Sequence, residues 1–93
     1  MMYCQGPDPK TKAPNFKAPP RACDAHCHVF GPSKKFPFAE GRSYTPLDSS
    51  FEAMQVLQNA LGIERAVIVQ ATCHGTDNTA ALDAISRSEG RYR

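Results

Sequence analysis

The sequence predicts an α/β fold built on a parallel β-sheet, and its segments alternate in the way such a fold requires. Residues 22–28 have the side-chain alternation of a strand, and residues 65–71 are a β-branched run without alternation. A helical pattern follows each of them, over residues 49–61 and residues 77–88. Alternating strands and helices are typical of parallel sheets with right-handed connections. Two such units do not complete a sheet.

The first twenty residues differ in composition from the rest of the chain. Residues 1–20 are rich in proline and contain few large apolar side chains, with no usable period. We therefore predict a flexible lead-in over residues 1–20 and one partial domain over residues 21–93. A chain of 93 residues has no room for a second folded unit, since typical domains have roughly 100–150 residues.

The first predicted strand, residues 22–28, has an unusual polar face. Because side chains alternate along a strand, one face is expected to be small and apolar, and the other to carry a carboxylate and two imidazoles. The polar set is Ala22, Asp24, His26 and His28. A polar face on an otherwise buried strand is typical of a functional site.

A long connection separates this strand from the first helix. Residues 29–48 contain three prolines and two glycines, which forbid a regular element of any length, and such long connections are usually functional or disordered. Ser49 and Glu52 then fit a capping box, and Gly62 stands where a helix commonly ends. The apolar stripe of this helix is predicted to be Phe51, Met54, Leu57 and Leu61.

The second strand and helix repeat the pattern. Residues 65–71 are apolar without alternation, as in a strand buried on both faces of a sheet. The helix that follows is predicted to be capped by Asp77 or Asn78 and to end before Gly90. Its inward side is predicted to be Ala81, Leu82 and Ile85. Residues 91–93 are expected to begin a third strand.

Composition and charge exclude several classes of protein. Eleven Lys and Arg against nine Asp and Glu give a net charge of +2, which is too small to indicate nucleic acid or an anionic membrane surface as a partner. No apolar run approaches about 18 residues, so no transmembrane helix is predicted. The first residues lack the apolar stretch of a signal peptide. We therefore expect a cytoplasmic protein.

The four cysteines are expected to be reduced, since no export signal is present. Cys23 and Cys27 have half of the spacing of a structural zinc site, which Cys73 and His74 would have to complete. These two are adjacent and cannot easily reach one ion, so buried, unreactive thiols are the favoured interpretation. A small non-enzymatic Cys/His metal-binding protein is kept as an alternative.

The pair His26-x-His28 is the sharpest candidate for chemistry. Alternate strand residues face the same way about 6.6–6.8 Å apart, so two imidazoles can converge on one metal ion or one oxygen atom. Active sites form at the carboxyl ends of barrel strands. Asp24 would either orient a histidine as a hydrogen-bond acceptor or cap a turn.

Four further residues near the loops are weaker candidates. Tyr44 would donate its hydroxyl to a substrate or pack as an aromatic lid. Thr72 directly follows the second strand and would bind a carboxylate or cap a turn. His74 is expected to be exposed, and Arg42 is expected to be solvated rather than paired with an anionic ligand.

Two long motifs, DAHCHVFGP at residues 24–32 and VQATCHGTDN at residues 69–78, are specific in combination. With FPFA at residues 36–39 and RSYTP at residues 42–46, they resemble the opening of the 2-pyrone-4,6-dicarboxylate hydrolases. This family of lactonases is a branch of the amidohydrolase superfamily. The resemblance covers about residues 14–93, almost the whole chain.

The resemblance implies a TIM-type (β/α)8 barrel that hydrolyses a dicarboxylate lactone during the breakdown of lignin-derived aromatic compounds. It implies that His26 and His28 are catalytic and polarise the lactone carbonyl without a metal or other cofactor. Imidazole N–H groups can stabilise the negative charge that develops on this oxygen. It further implies that Tyr44 and Thr72 bind the substrate. The alternative within the superfamily is a metal-dependent amidohydrolase or decarboxylase, with His26 and His28 as ligands of zinc or manganese.

The length of the chain departs from the resemblance. A (β/α)8 barrel needs about 250 residues, so we expect an N-terminal portion that holds the first two βα units. The general base and the arginines that grip the substrate would lie beyond Arg93. We therefore expect the isolated chain to be inactive, and aggregation-prone because its strands have unpaired edges. A truncated product without function is a further alternative.

Overall fold

The computed structural model describes residues 3–93, which form two small parallel sheets and two helices. In chain order the elements are β1 (Tyr3–Cys4), β2 (Cys23–Cys27), β3 (Thr45–Pro46), α1 (Phe51–Leu61), β4 (Arg65–Ile68), a 3₁₀ turn (Thr72–His74) and α2 (Thr79–Arg87). Residues 1–2 of the predicted lead-in lie outside the described residues. In the rest of that segment, β1 pairs with β3.

The central sheet contains β2, β4 and the last residues of the chain. β2 pairs in parallel with β4, and Tyr92 forms a parallel bridge to Ala66 of β4. The Ala66 N–H donates to the carbonyl of Arg91 at 3.2 Å, and the Arg93 N–H donates to the carbonyl of Ala66 at 3.0 Å. The predicted third strand start is confirmed. The strand positions follow one another across the sheet in chain order, as they do in a βα barrel.

Strand β2 contains one extra residue relative to β4. Asp24 pairs with Ala66 and Cys27 pairs with Ile68, so three steps along β2 oppose two steps along β4. Paired residues of a ladder share a face, which places Asp24 and Cys27 together on the face of their partners. The predicted unbroken alternation, with Asp24 on the face of the two histidines, is wrong because this bulge shifts the strand by one residue.

Helix α1 has complete caps at both ends. The Ser50 hydroxyl accepts the N–H of Ala53 at 3.2 Å, so the cap is Ser50 rather than the predicted Ser49. The backbone of Ser49 is instead paired with Phe30 through two hydrogen bonds of 2.8 and 2.9 Å. At the other end, Gly62 adopts the left-handed conformation with φ 73° and ends the helix as predicted.

Helix α2 packs through a stripe of small side chains. Ala80, Ala84 and Ser88 are buried at intervals of four residues, which lets the helix lie close to its neighbours. The prediction that Leu82 faces inward is wrong, because this side chain is 61% exposed on the other side of the helix. The first turn is held by Asp77, whose carboxylate accepts the N–H and the hydroxyl of Thr79.

The core lies between the two helices and one face of the central sheet. Its buried members are Cys27, Val29, Phe51, Ala66, Ala84 and Tyr92, with Met54, Ile68 and Ile85 packed against them. Since both helices contribute to one cluster, they lie on the same side of the sheet, as right-handed connections require. The fully buried Tyr92 hydrogen-bonds through its hydroxyl to the buried Gln58 of α1.

Strand β4 is covered on one face only. Ala66 is buried in the core, whereas its neighbour Val67 is 37% exposed. The prediction of a strand buried on both faces therefore does not hold for the described residues, which supply a single helical layer. Between residues 3 and 93, neither helix is long and apolar enough to cross a membrane.

Candidate functional site

The two predicted histidines lie side by side at the carboxyl end of β2. Their ring centroids are 5.1 Å apart and their planes are nearly perpendicular, at 88°. The Nδ1 atom of His28 lies 2.8 Å from the carbonyl oxygen of Val69, which directly follows β4. Because a carbonyl only accepts, this nitrogen carries a proton, and Nε2 is left to meet a ligand. His26 is exposed and His28 is half-buried.

Asp24 supports the backbone of the pair rather than an imidazole ring. Its Oδ1 atom accepts the backbone N–H of His26 at 3.1 Å, a local bond of the kind that aspartate makes two residues along the chain. The bond lies where β2 takes in its extra residue. Of the two roles that the sequence left open for Asp24, the structure shows the turn-capping one.

Tyr44 of the long loop interacts with the 3₁₀ turn that begins at Thr72, although α1 and β4 separate the two segments in sequence. The pKa of Tyr44 is raised above its ordinary value, first because its hydroxyl hydrogen-bonds with the Cys73 thiol and then because it is partly buried. A hydrogen bond with the Thr72 side chain opposes this shift. The phenol therefore keeps its proton at neutral pH, and it faces the turn that follows β4.

Thr72 opens a 3₁₀ turn whose next two residues are buried. Cys73 is fully buried, and His74 is only 5% exposed. The prediction that His74 is exposed is wrong, because aromatic side chains from distant loop positions cover it. The Ala39 N–H donates to the Cys73 carbonyl at 2.8 Å, which ties the long loop to the turn.

A line of ring contacts connects the histidine pair with His74. Phe30 stacks on His28 at 5.9 Å between centroids and contacts His74 at 5.8 Å. Phe38 stacks on the His74 ring at 5.4 Å. Burial lowers the pKa of His74, Asp77 opposes this effect, and His28 adds to it. The third histidine therefore belongs to the same site, and the closely spaced Phe30 and Phe38 are the sequence signal that could have found it.

Arg42 closes the loop that carries Tyr44. Its Nε atom donates to the Thr45 hydroxyl at 2.8 Å, and a terminal nitrogen donates to the Ala39 carbonyl at 2.9 Å. The guanidinium also lies over the Phe38 ring, 5.7 Å from its centroid. The expectation of a solvated Arg42 is therefore wrong, because the loop supplies its own acceptors.

The cysteines divide into two exposed and two buried thiols. Cys4 and Cys23 are exposed, while Cys27 and Cys73 are buried, and all four are free. Burial raises the pKa of Cys27 to about 11, with smaller contributions from Asp24 and Cys23, so this thiol stays neutral. The predicted buried, unreactive state holds for the thiols of the core and the turn only.

Within residues 3–93, the candidate metal ligands that lie side by side are His26 and His28. Between residues 3 and 93, no group of three or more His, Cys, Asp or Glu side chains is arranged to hold a metal ion. The pair itself offers two imidazoles, one of them oriented through Nδ1 by a backbone carbonyl. Since catalytic zinc sites use three protein ligands, an ion on this pair would need another ligand from outside these residues.

The fold and the histidine site define a class of protein. Residues 23–93 match the amidohydrolase family, and the chain belongs to that family. Its structure superposes with a TM-score of 0.71 on the crystal structure of a probable 2-pyrone-4,6-dicarboxylic acid hydrolase from Acinetobacter baumannii with citric acid bound. The two are 26% identical, over 78% of this chain and 27% of that one. The predicted fold class, two βα units of an amidohydrolase-type TIM barrel, is confirmed.

Two curated relatives of this chain are named as hydrolases of lactones. The chain is 55% identical over 80 residues to the 2-pyrone-4,6-dicarboxylate hydrolase of Comamonas testosteroni. The matched segment covers 86% of this chain and 26% of that protein. It is 51% identical over 89 residues to the 4-sulfomuconolactone hydrolase of Hydrogenophaga intermedia, covering 96% of this chain and 29% of that protein. The predicted resemblance is confirmed, and the chain spans less than a third of the length of either relative.

Proposed function

We propose that this chain is the part of a lactone hydrolase that contains its catalytic histidines, His26 and His28. The hydrolase would open the ring of 2-pyrone-4,6-dicarboxylate. The observation that carries the proposal is the contact between His26 and His28 at the end of β2, in a chain 55% identical over 80 residues to such a hydrolase. The reaction would serve the breakdown of lignin-derived aromatic compounds in the cytoplasm. The substrate is a small molecule, and no nucleic acid or membrane partner is proposed.

His28 is proposed to polarise the lactone carbonyl through Nε2. Its Nδ1–H is held by the Val69 carbonyl, so an imidazolium at this position would present Nε2–H to the substrate. When water attacks the carbonyl carbon, negative charge develops on the carbonyl oxygen, and this donor stabilises it. His26, whose ring lies edge-on to His28, is proposed to supply a second donor.

The remaining steps complete the hydrolysis. A general base from another part of the barrel would take the proton of the attacking water. Collapse of the tetrahedral intermediate then breaks the bond between the former carbonyl carbon and the ring oxygen. The expelled ring oxygen is an enolate, which takes the proton held by the general base and becomes an enol. The former carbonyl carbon becomes a carboxylic acid, which ionises to a carboxylate.

Tyr44 and Thr72 are proposed to bind a carboxylate of the substrate. The Thr72 side chain is among the groups that act on the Tyr44 hydroxyl, and the raised pKa of Tyr44 keeps its proton available for donation. A carboxylate accepts hydrogen bonds from several donors at once, and bonds to an ionised acceptor are the stronger ones. The pair therefore suits one end of a dicarboxylate substrate.

A metal-dependent amidohydrolase or decarboxylase is the second candidate. The bond from His28 Nδ1 to the Val69 carbonyl favours it as well, because a neutral imidazole held this way turns the lone pair of Nε2 towards a metal. His26 and His28 would then hold zinc or manganese, which would polarise the carbonyl in place of the imidazolium. We propose the metal-independent reaction as the main function.

The test places the 80-residue matching segment of this chain into the Comamonas testosteroni hydrolase in place of its own. We expect this chimera to hydrolyse 2-pyrone-4,6-dicarboxylate after treatment with a chelator, followed by the loss of pyrone absorbance. His28→Ala should lower kcat/KM by about 10²–10³-fold, the usual effect of losing an oxyanion donor. Leu82→Ala, at an exposed position, is the matched control and should keep full activity.

Three outcomes would contradict the proposal. A folded chimera that hydrolyses neither 2-pyrone-4,6-dicarboxylate nor 4-sulfomuconolactone would overturn the proposed function. Circular dichroism, compared with that of the parent enzyme, checks that the chimera is folded. Turnover of 4-sulfomuconolactone alone would reassign the substrate. Loss of activity with chelator and recovery with zinc or manganese would establish the metal-dependent candidate.

A further inference from the structure

Residues 36–45, called the rim loop below, are docked on the 3₁₀ turn by backbone and ring contacts. The Ala39 N–H donates to the Cys73 carbonyl at 2.8 Å. One step earlier in the chain, the Phe38 ring stacks on the His74 ring with centroids 5.4 Å apart and an interplanar angle of 26°. The loop and the turn therefore touch through main chain and side chain at adjacent positions.

The backbones of the two segments approach closely as well. Gly75, directly after the turn, has φ +59°, and a Cβ built at this position would lie 3.1 Å from the Cβ of Ala39. Such a separation is tighter than ordinary van der Waals contact, so a side chain here would push the loop away. The absence of a side chain at position 75 lets the rim loop lie directly on the turn.

His74 sits in the centre of this contact. Its ring lies between Phe30 and Phe38, and the residue is 5% exposed. Its Nε2 atom is buried and meets no hydrogen-bond partner within residues 3–93. A buried nitrogen without a partner costs stability, so the ring contributes here through its stacking rather than through hydrogen bonding at that atom.

The far end of the rim loop carries Tyr44, whose hydroxyl meets Thr72 at the start of the turn. Between Phe38 and Tyr44, Arg42 fixes the loop through Ala39 and Thr45. A shift of the loop at Phe38 would therefore be transmitted to the tyrosine as a rigid displacement.

We propose that His74 is a positioning residue, whose ring docks the rim loop on the turn and so holds the Tyr44 hydroxyl beside Thr72. Its consequence for turnover rests on the proposed lactone hydrolysis, in which Tyr44 and Thr72 bind substrate. The docking itself concerns this chain alone and is measured without any substrate.

Thiol labelling reports the docking directly. Cys73 is fully buried beneath the rim loop, whereas Cys27 is buried in the core between sheet and helices. Labelling by iodoacetamide, with each cysteine identified by peptide mass spectrometry, separates a local release of the loop from general unfolding. His74→Ala should increase the labelling rate of Cys73 by about tenfold and leave that of Cys27 unchanged.

His74→Phe is the matched variant, because it keeps both ring contacts and removes only the imidazole nitrogens. It should label at Cys73 as slowly as the unchanged protein. Labelling is measured in the 93-residue chain and in the hydrolase chimera. If Cys27 of the unchanged 93-residue chain is already labelled rapidly, the result in the chimera is the one that counts.

Activity in the chimera gives the second measurement. His74→Ala should raise KM for the lactone about tenfold with a smaller change in kcat, because the loss falls on substrate-binding hydroxyls. His74→Phe should restore KM to the parent value. Adding Tyr44→Phe to His74→Ala should raise KM little further than His74→Ala alone. Both changes remove the same contact between the Tyr44 hydroxyl and the substrate, so their effects should not add.

The outcomes separate this inference from the proposed function. If His74→Ala leaves Cys73 protected, or exposes Cys27 to the same extent, His74 does not dock the loop. If His74→Phe is as damaging as His74→Ala, the imidazole acts chemically and the positioning role is overturned. An unchanged chimera that hydrolyses no lactone would contradict the function, while the labelling result would still decide the docking.

Discussion

The carboxylate of Asp24 accepts the backbone N–H of His26 at 3.1 Å, where β2 takes in one residue more than its partner strand. The bulge re-aims the side chains that follow it, as bulges beside active sites commonly do. Asp24 itself is left on the opposite face, in register with Ala66. It therefore acts on the histidine pair through the main chain.

Removing this acceptor should loosen the bulge. In the hydrolase chimera, Asp24→Ala is expected to lower kcat/KM about tenfold and the free energy of unfolding by about 1 kcal/mol, the typical value of one such hydrogen bond. Asp24→Asn keeps the Oδ1 acceptor and should stay within about twofold of the parent. If the asparagine variant were as inactive as the alanine variant, the negative charge of Asp24 would be what matters.

The stability of the turn should depend on pH through His74. Burial lowers the pKa of His74 below its ordinary value of 6.5, so the folded protein binds this proton less readily than the unfolded chain. Above about pH 6.5 the ring is neutral in both states and has no effect, and below it the unfolded chain gains a proton first. The free energy of unfolding should therefore fall as the pH drops from about 6.5 towards 5.

Denaturant unfolding of the chimera across this range measures the effect, with His74→Phe as the control that lacks the titrating group. The difference in stability between the two proteins should grow on the acid side. Parallel curves at all pH values would show that protonation of His74 is not coupled to folding.

The hydrogen bond between Tyr92 and Gln58 should contribute measurably to the free energy of unfolding, because both residues are buried. Tyr92→Phe leaves the buried side-chain oxygen of Gln58 without its partner, which costs about 1–3 kcal/mol. The Gln58 amide nitrogen already has no partner among the described residues. Replacing both residues, with Gln58→Met beside Tyr92→Phe, should recover most of the loss, as measured by urea unfolding. A double variant no more stable than Tyr92→Phe would contradict this account.

Two glycines of the long connection should respond differently to a methyl group. Gly31 has φ +81°, and a Cβ at this position would overlap the side chain of Asp48. Gly31→Ala is therefore expected to lower the free energy of unfolding by more than about 1 kcal/mol. A Cβ at Gly41 would have no atom of the described residues within 4 Å, so Gly41→Ala should change it by less than about 0.5 kcal/mol. Equal effects in a thermal melt would argue against a close approach at Gly31.

The local features of this fold were predictable because their signals lie within a few residues. Gly62 ends α1 through a left-handed conformation that glycine adopts without strain, and the sequence indicates it directly. The facing imidazoles of His26 and His28 follow from alternation over two residues. The predicted start of α1 is wrong by one position, because Ser49 pairs with Phe30 and this pairing is not local.

The non-local features were not predictable from periodicity. The bulge in β2 depends on how that strand aligns with β4, which no pattern inside residues 22–28 contains. The prediction of an exposed His74 is wrong because Phe30 and Phe38, which cover its ring, lie far away along the chain. The resemblance implies that Tyr44 and Thr72 bind the substrate, but spacing alone does not bring a tyrosine of the long loop to the turn after a later strand.

The close approach of Ala39 to Gly75 has a consequence for engineering the substrate range of this family. A designer who exchanges residues 36–45 without residues 72–75 would mismatch a main-chain hydrogen bond, a ring stack and a glycine that admits only a small neighbour. The two stretches behave as one transplantable cassette, although more than twenty residues and a whole helix separate them in the gene. Libraries that randomise both stretches together should therefore yield folded enzymes more often than libraries that vary either one alone.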